Sequence, residues 1–250
     1  MLKYKIIKSS DDYEYILFLH CICGDSSIFD KQVKELEKRF NILLIDLPYH
    51  GENINYEKEL DFKNISEEII KVLDENQIDK VNIIGLSLGA VVTNYICYYY
   101  KERVSKVIFL SAADGLKNNF LNKTFNLFCK LLVVLPYKLY IKAFIYCIIP
   151  QNYNRQYREQ LYFNACKIGK ANMNKCIKLL LLNFNNFNKY ICEFLNSCDL
   201  EKIFVVGNKD YIFKNSVLKK IKENKYNKII LVNKSHMLEL NSNFDIKELI

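Results

Sequence analysis

Nowhere in this sequence do five like charges stand in a row. That argues against the charged tail of a nucleic-acid arm. The net charge of +8 comes from lysines spread along the chain with acids among them. A solvated surface and no nucleic-acid partner are therefore expected. The opening residues hold no apolar signal-type core: Met1-Leu2-Lys3-Tyr4-Lys5 leads into a short alternating run and then Ser9-Ser10-Asp11-Asp12. No charge-free apolar run reaches the length of a membrane span. The nearest approach, Phe125 to Ile149, is broken by Lys130, Pro136, Lys138 and Lys142. No cysteine spacing resembles a zinc site, and Cys21-Ile22-Cys23 is the one close pair among nine cysteines. An odd, scattered set of this kind points to reduced thiols in the cytoplasm, with no structural metal. Internal repeats and low-complexity linkers are absent as well.

What is present fits one large α/β domain. The chain has 250 residues, half of them apolar and about a quarter charged, enough for a single core. Short β-rich apolar runs alternate with amphipathic helical patterns, the signature of a doubly wound, mostly parallel sheet with helices on both faces. Strands are expected at Leu2–Ile7 (an edge), Tyr15–Leu19, Ile42–Ile45, Val81–Ile84, Val107–Leu110, Ile203–Val206 and Ile229–Val232. Helices are expected to carry Phe29, Val33, Leu36 and Phe40; Phe62, Ile65, Ile69 and Val72; Leu88 to Tyr99; and Val217, Leu218 and Ile221, with a short closing helix from about Phe244 to Ile250. The alternation stops from about 117 to 198, where the pattern is helical, rich in Phe, Tyr, Leu and Asn, and broken at Pro136, Pro150 and Gly169. The expected organisation is a core of residues 1–116 and 199–250 with a helical insertion at 117–198.

The chemistry centres on Gly85-Leu86-Ser87-Leu88-Gly89, a G-x-S-x-G directly after an apolar strand and directly before a helix. In that setting the pentapeptide reads as a nucleophile elbow. A serine on so tight a turn takes an unfavourable backbone conformation, and glycines two before and two after remove the Cβ atoms that would collide. A serine hydroxyl needs a base, and a histidine base needs an acid to fix its tautomer. Three histidines exist, and His236 alone follows the elbow. Asp210 lies after the preceding strand, so Ser87, Asp210 and His236 fall in the chain order of the α/β-hydrolase arrangement. Asp114, after the strand that follows the elbow, is a competing acid.

With these residues assembled, the sequence resembles the α/β-hydrolase superfamily over nearly its whole length. His20-Cys21-Ile22-Cys23-Gly24 sits where that family has its His-Gly-x-x-Gly oxyanion loop. Asp46-Leu47-Pro48-Tyr49-His50-Gly51 is similar to its Asp-x-x-Gly-x-Gly turn. Gly207-Asn208-Lys209-Asp210 resembles the motif bearing the triad acid, and Ser235-His236-Met237 the motif bearing the base. The resemblance implies a lid at about 117–198, an oxyanion hole made by the backbone N–H groups of Ile22 and Leu88, and no metal or organic cofactor. Cys21 and Tyr49 depart from the pattern by replacing glycines.

The expected activity is cleavage of a small-molecule ester or thioester with an apolar acyl group. Phe120, Phe125, Phe128, Leu131 and Leu132 of the insert are candidates to line the pocket, with His20 at its edge. His20 is expected to support its loop, and Asp46 and His50 to fix a turn. Two alternatives come from other chemistry. Some capped members of the superfamily are lyases or carbon–carbon hydrolases on anionic substrates, for which Arg155, Arg158 and Lys167 are candidate contacts. The other is a non-catalytic binding protein on the same scaffold. The sequence leaves the oligomeric state open.

Overall fold

The computed structural model describes residues 1–58, 61–111, 127, 130–132, 134–149, 155–186, 188–210, 213–236 and 246–250. Strands β1 (Tyr4–Ile7), β2 (Tyr15–Leu19), β3 (Asn41–Ile45), β4 (Val81–Leu86), β5 (Val104–Leu110), β6 (Glu201–Gly207) and β7 (Asn227–Val232) form one sheet. Their order is β1-β3-β2-β4-β5-β6-β7. Only β1 runs antiparallel, against β3 at the edge; every other pairing is parallel.

The strand sequences explain the layering. All five residues of β3 and all six of β4 are buried. A strand covered on both faces reads as a continuous apolar run, whereas a strand with one wet face alternates. The edge strands behave differently: β1 and β7 keep exposed or half-exposed positions along their length. Helices α1 (Asp30–Leu36), α2 (Phe62–Glu75), α3 (Leu88–Tyr99) and α7 (Lys214–Lys220) cover the faces. The sequence places α2 well: Asp61 caps it by accepting the Asn64 N–H at 2.7 Å, and Phe62, Ile65, Ile69 and Val72 form its buried stripe. Helix α3 is buried from Leu88 through Cys97. A helix that is apolar nearly all round belongs in a core, and α3 packs behind the central strands. Each buried Leu, Ile, Val or Phe side chain of this kind contributes about 1.5–3 kcal/mol.

Between β5 and β6 the chain leaves the sheet. Helices α4 (Tyr137–Ile148), α5 (Arg155–Asn186) and α6 (Asn188–Ser197) occupy this stretch. Pro136 stands directly before α4, and α5 is broken at Gly169 (φ 75, ψ 164). Glycine takes that conformation without strain. Helix α6 lies against core helix α3, with the Phe194 ring 5.3 Å from that of Tyr98. The chain end departs from expectation. Residues 237–245 lie outside the described residues, and the remainder forms a 3-10 turn at Ile246–Glu248.

Candidate active site

The elbow is built by close approach. A Cβ on Gly89 would stand 2.0 Å from the Leu19 carbonyl oxygen, and one on Gly85 2.8 Å from the Gly89 oxygen. Neither position has room for another residue. Ser87 between them sits at φ 51, ψ −102. Such a backbone costs roughly 1–3 kcal/mol and persists only where its surroundings over-determine it. Here they do. The Ser87 N–H donates to Leu110 O at 3.0 Å, and the Gly89 N–H donates to His20 O at 3.0 Å. The elbow is thus tied to the ends of β5 and β2, the strands flanking β4.

The other two groups come from the ends of β6 and β7. Gly207 lets these loops touch, since a Cβ there would lie 2.3 Å from Ser235 O. The Lys209 N–H donates to Lys234 O at 3.0 Å, clamping the loops together. Asp210 Oδ2 then lies 2.7 Å from His236 Nδ1, and His236 Nε2 lies 3.1 Å from Ser87 Oγ. Asp210 Oδ1 also accepts the Phe213 N–H at 2.9 Å. The Phe213 ring packs on the imidazole at a centroid distance of 4.6 Å. All three polar side chains are buried. The arrangement is that of a base able to take the serine proton and an acid able to hold the base in the Nδ1–H tautomer.

The two remaining histidines build the loop beside the elbow. His20 Nε2 accepts the Leu47 N–H at 2.8 Å, so its proton is on Nδ1, which donates to Cys21 O at 2.8 Å. His50 repeats the pattern, with Nε2 accepting the Cys23 N–H at 3.3 Å and Nδ1 donating to Pro48 O at 2.9 Å. The two rings lie 5.0 Å apart. Asp46 bolts the same turn, accepting from the Ser26 and Glu52 N–H groups at 2.7 and 2.8 Å. His20 is therefore fully engaged as a support of its loop. The amide of Gly24 donates to Cys21 O, and that of Cys23 is taken by His50. The amides of Ile22 and Leu88 make no hydrogen bond to a described residue.

Cys21 keeps a φ outside the left-handed region. In this loop and the Asp46 turn the left-handed non-glycine positions are Cys23 (φ 65) and Tyr49 (φ 69). Burial pushes the Cys21 thiol up to about 12 and the Cys23 thiol well above its ordinary value, so neither is a nucleophile at neutral pH. No disulfide joins the described cysteines. Among the described residues no cluster of three His, Cys, Asp or Glu side chains could hold a metal ion.

Burial lowers both loop histidines, His50 to about 3 with a further push from the neighbouring His20 ring. Their unfolded values are near 6.5, so the unfolded chain binds more protons below that pH. Stability is fully present above pH 6.5 and falls as the pH drops toward the folded-state values, by roughly 1.4 kcal/mol per pH unit for each proton taken up. Denaturation midpoints measured at pH 7, 6 and 5 should therefore decline steadily. A flat profile over that window would show that the two rings are not held neutral.

Phe120, Phe125 and Phe128 lie outside the described residues, as does Asp114. Leu131 faces outward and Leu132 is buried. An apolar slot does lie next to the elbow, lined by Leu47, Pro48, Tyr49, Phe62, Leu88 and Leu179 among others. Its volume is about 10 Å³, roughly one water or methyl group. Its insert side comes from Cys176 and Leu179, whose i, i+3 spacing on α5 was the signal available in the sequence. A larger cleft of about 300 Å³ is polar, lined by Asp25, Asp46, Glu52, Asn164 and Lys167, and Ser87 is not in its wall. Arg155 pairs with Glu159 at 2.7 Å, and Arg158 and Lys167 stack over the Tyr146 and Phe163 rings. The three cations thus have separate partners and do not converge on one anion site.

Strand order, the strand-to-helix elbow and the acid and base at the following strand ends together decide the fold. This chain has the α/β-hydrolase fold. Residues 14–131 match the family model described as alpha/beta hydrolase fold. A hydrolase from Oleispira antarctica superposes with a TM-score of 0.82 over 99% of this chain and 92% of its own, at 14% identity. MenH from S. aureus superposes with a TM-score of 0.80 over 100% and 95%, at 18% identity. In sequence, a pimeloyl-[acyl-carrier protein] methyl ester esterase of Pseudoalteromonas atlantica is 28% identical over 113 residues, covering 45% of this chain. The chain spans about two-fifths of that relative's length (41%). The α/β-hydrolase resemblance read from the sequence is borne out, as is the mostly parallel sheet.

Proposed function

We propose that this chain of α/β-hydrolase fold is a serine hydrolase acting on an ester or thioester with an apolar acyl group. The observation that carries the reading is the continuous relay from Ser87 Oγ through His236 to Asp210, at 3.1 and 2.7 Å. Ser87 Oγ attacks the carbonyl carbon while His236 Nε2 takes its proton. The N–H groups of Ile22 and Leu88 receive the negative oxygen; each such donor is worth about 3 kcal/mol. The tetrahedral centre collapses, the alcohol or thiol leaves with the proton held by His236, and the acyl group stays on Ser87. Water then gives its proton to His236 and attacks the acyl carbon, releasing the carboxylic acid and restoring the serine. Asp210 holds the neutral imidazole in the accepting tautomer and stabilises the imidazolium that forms when His236 takes a proton. The insert between β5 and β6 acts as the lid, closing the slot from above with Cys176 and Leu179.

The apolar lining of the slot beside Leu88 supports the acyl preference. Esterase relatives agree with the reaction class. The test is a fluorophosphonate probe on the folded protein, followed by a series of p-nitrophenyl esters. The adduct should map to Ser87, and esters with apolar acyl groups should be turned over. A protein that forms no adduct and turns over none of the esters is not this enzyme.

A further inference from the structure

The even mixing of charges expected from the sequence fails in one place. Between residues 115 and 190 the chain carries twelve lysines and arginines and one acid, Glu159. The rest of the chain carries 24 cations and 27 acids. From 115 to 158 there is no acid at all. The whole positive balance of the protein therefore resides in the insert between β5 and β6.

The same segment turns apolar side chains outward. Helical residues Leu127, Lys130, Leu131 and Val134 are all exposed, Leu127 by 61% and Val134 by 79%. Helix α4 adds a face of the same composition. Tyr140, Ile141, Ile145 and Ile148 are buried, while Lys138, Leu139, Lys142, Ala143 and Tyr146 are exposed. Single exposed apolar residues are ordinary on protein surfaces. A helix face and a neighbouring set of residues that interleave leucine, valine and tyrosine with lysine, and carry no acid, are not. Lys130, Lys138 and Lys142 have no ion pair to a described residue.

From this pattern we infer that the outer face of α4, with the exposed residues Leu127, Lys130, Leu131 and Val134, docks on an anionic lipid bilayer. The apolar side chains enter the interface and the lysine stems extend along it, with their ammonium groups at the level of the lipid phosphates. An acidic protein or a nucleic acid would satisfy the lysines and leave Leu127, Val134 and Leu139 in water. No helix among the described residues is long and apolar enough to cross a membrane, so the contact is with the surface. The inference is independent of the hydrolase reading, and the Ser87→Ala protein should bind as the parent does.

The test is co-sedimentation of the full chain with vesicles of phosphatidylcholine alone and of phosphatidylcholine mixed with phosphatidylglycerol. Binding is expected to the mixed vesicles and to weaken with added salt. Each lysine at such a surface is worth roughly fivefold in partitioning, so Lys138→Ala with Lys142→Ala should lose about 25-fold. Val134→Asp should also weaken binding, with the circular dichroism spectrum and the hydrolysis of a soluble ester unchanged in both variants. Equal binding to both vesicle types, or binding to neither, overturns the proposal. So does salt-sensitive capture of heparin without vesicle binding, which would assign the surface to an acidic macromolecule.

Discussion

Ser87→Ala should lower the kcat for a p-nitrophenyl ester by about 10⁵- to 10⁶-fold, the loss seen when the nucleophile of a working triad is removed. The expectation is sharp because the substitution is nearly silent otherwise. Alanine retains the Cβ, so the φ of 51 is as strained as before and the turn keeps its shape. Both backbone bonds that hold the elbow, to Leu110 O and His20 O, survive. What disappears is one hydroxyl and its 3.1 Å contact to His236. The thermal midpoint should shift little while turnover collapses and the fluorophosphonate adduct disappears. A variant that keeps more than about one-hundredth of the parent rate would assign the chemistry to another group.

Asp210→Asn should cost about 10⁴-fold in kcat with little change in KM. The carboxylate accepts from two donors at once, the Phe213 N–H on Oδ1 and the His236 Nδ1–H on Oδ2. Asparagine has one oxygen to offer. The Phe213 amide is a fixed backbone donor and keeps that oxygen, so the side-chain NH₂ faces Nδ1. A donor there forces Nδ1 to accept and moves the ring proton to Nε2, where it blocks transfer from Ser87. The fluorophosphonate reaction, which depends on the same proton transfer, should slow in parallel. If the Asn variant stays within tenfold of the parent, the working acid is a different one, and Asp114 is then the residue to substitute.

The sheet was legible because strands buried on both faces announce themselves as unbroken apolar runs, as at Ile42–Ile45 and Val81–Ile84. The elbow was legible because Gly85 and Gly89 are demanded by contacts under 3 Å, which leave no choice of residue. Reading the loop at 20–24 was harder. Attention falls on Cys21, which replaces a glycine in the pattern, yet the left-handed residue is Cys23. Sequence records which residue stands at a position and not which peptide turns there. The two buried histidines posed a similar problem. Their roles depend on ring nitrogens meeting the backbone of a turn 27 residues away, and no spacing rule encodes that. The pocket was least legible of all, because its wall is assembled from α2, α3, α5 and the Asp46 turn, four segments with no shared pattern.

The two backbone bonds flanking Ser87 bear on how force travels through the protein. One fastens the elbow to β2 and the other to β5, so it extends the sheet's own ladder by a rung on each side. The helices of the insert lie outside that ladder. Load applied to α4 meets the α4–α5 packing and the kink at Gly169, and it reaches the core through α6, which packs on α3, without passing through either rung. The outer surface can be redrawn to suit a new partner while the reacting groups keep their register.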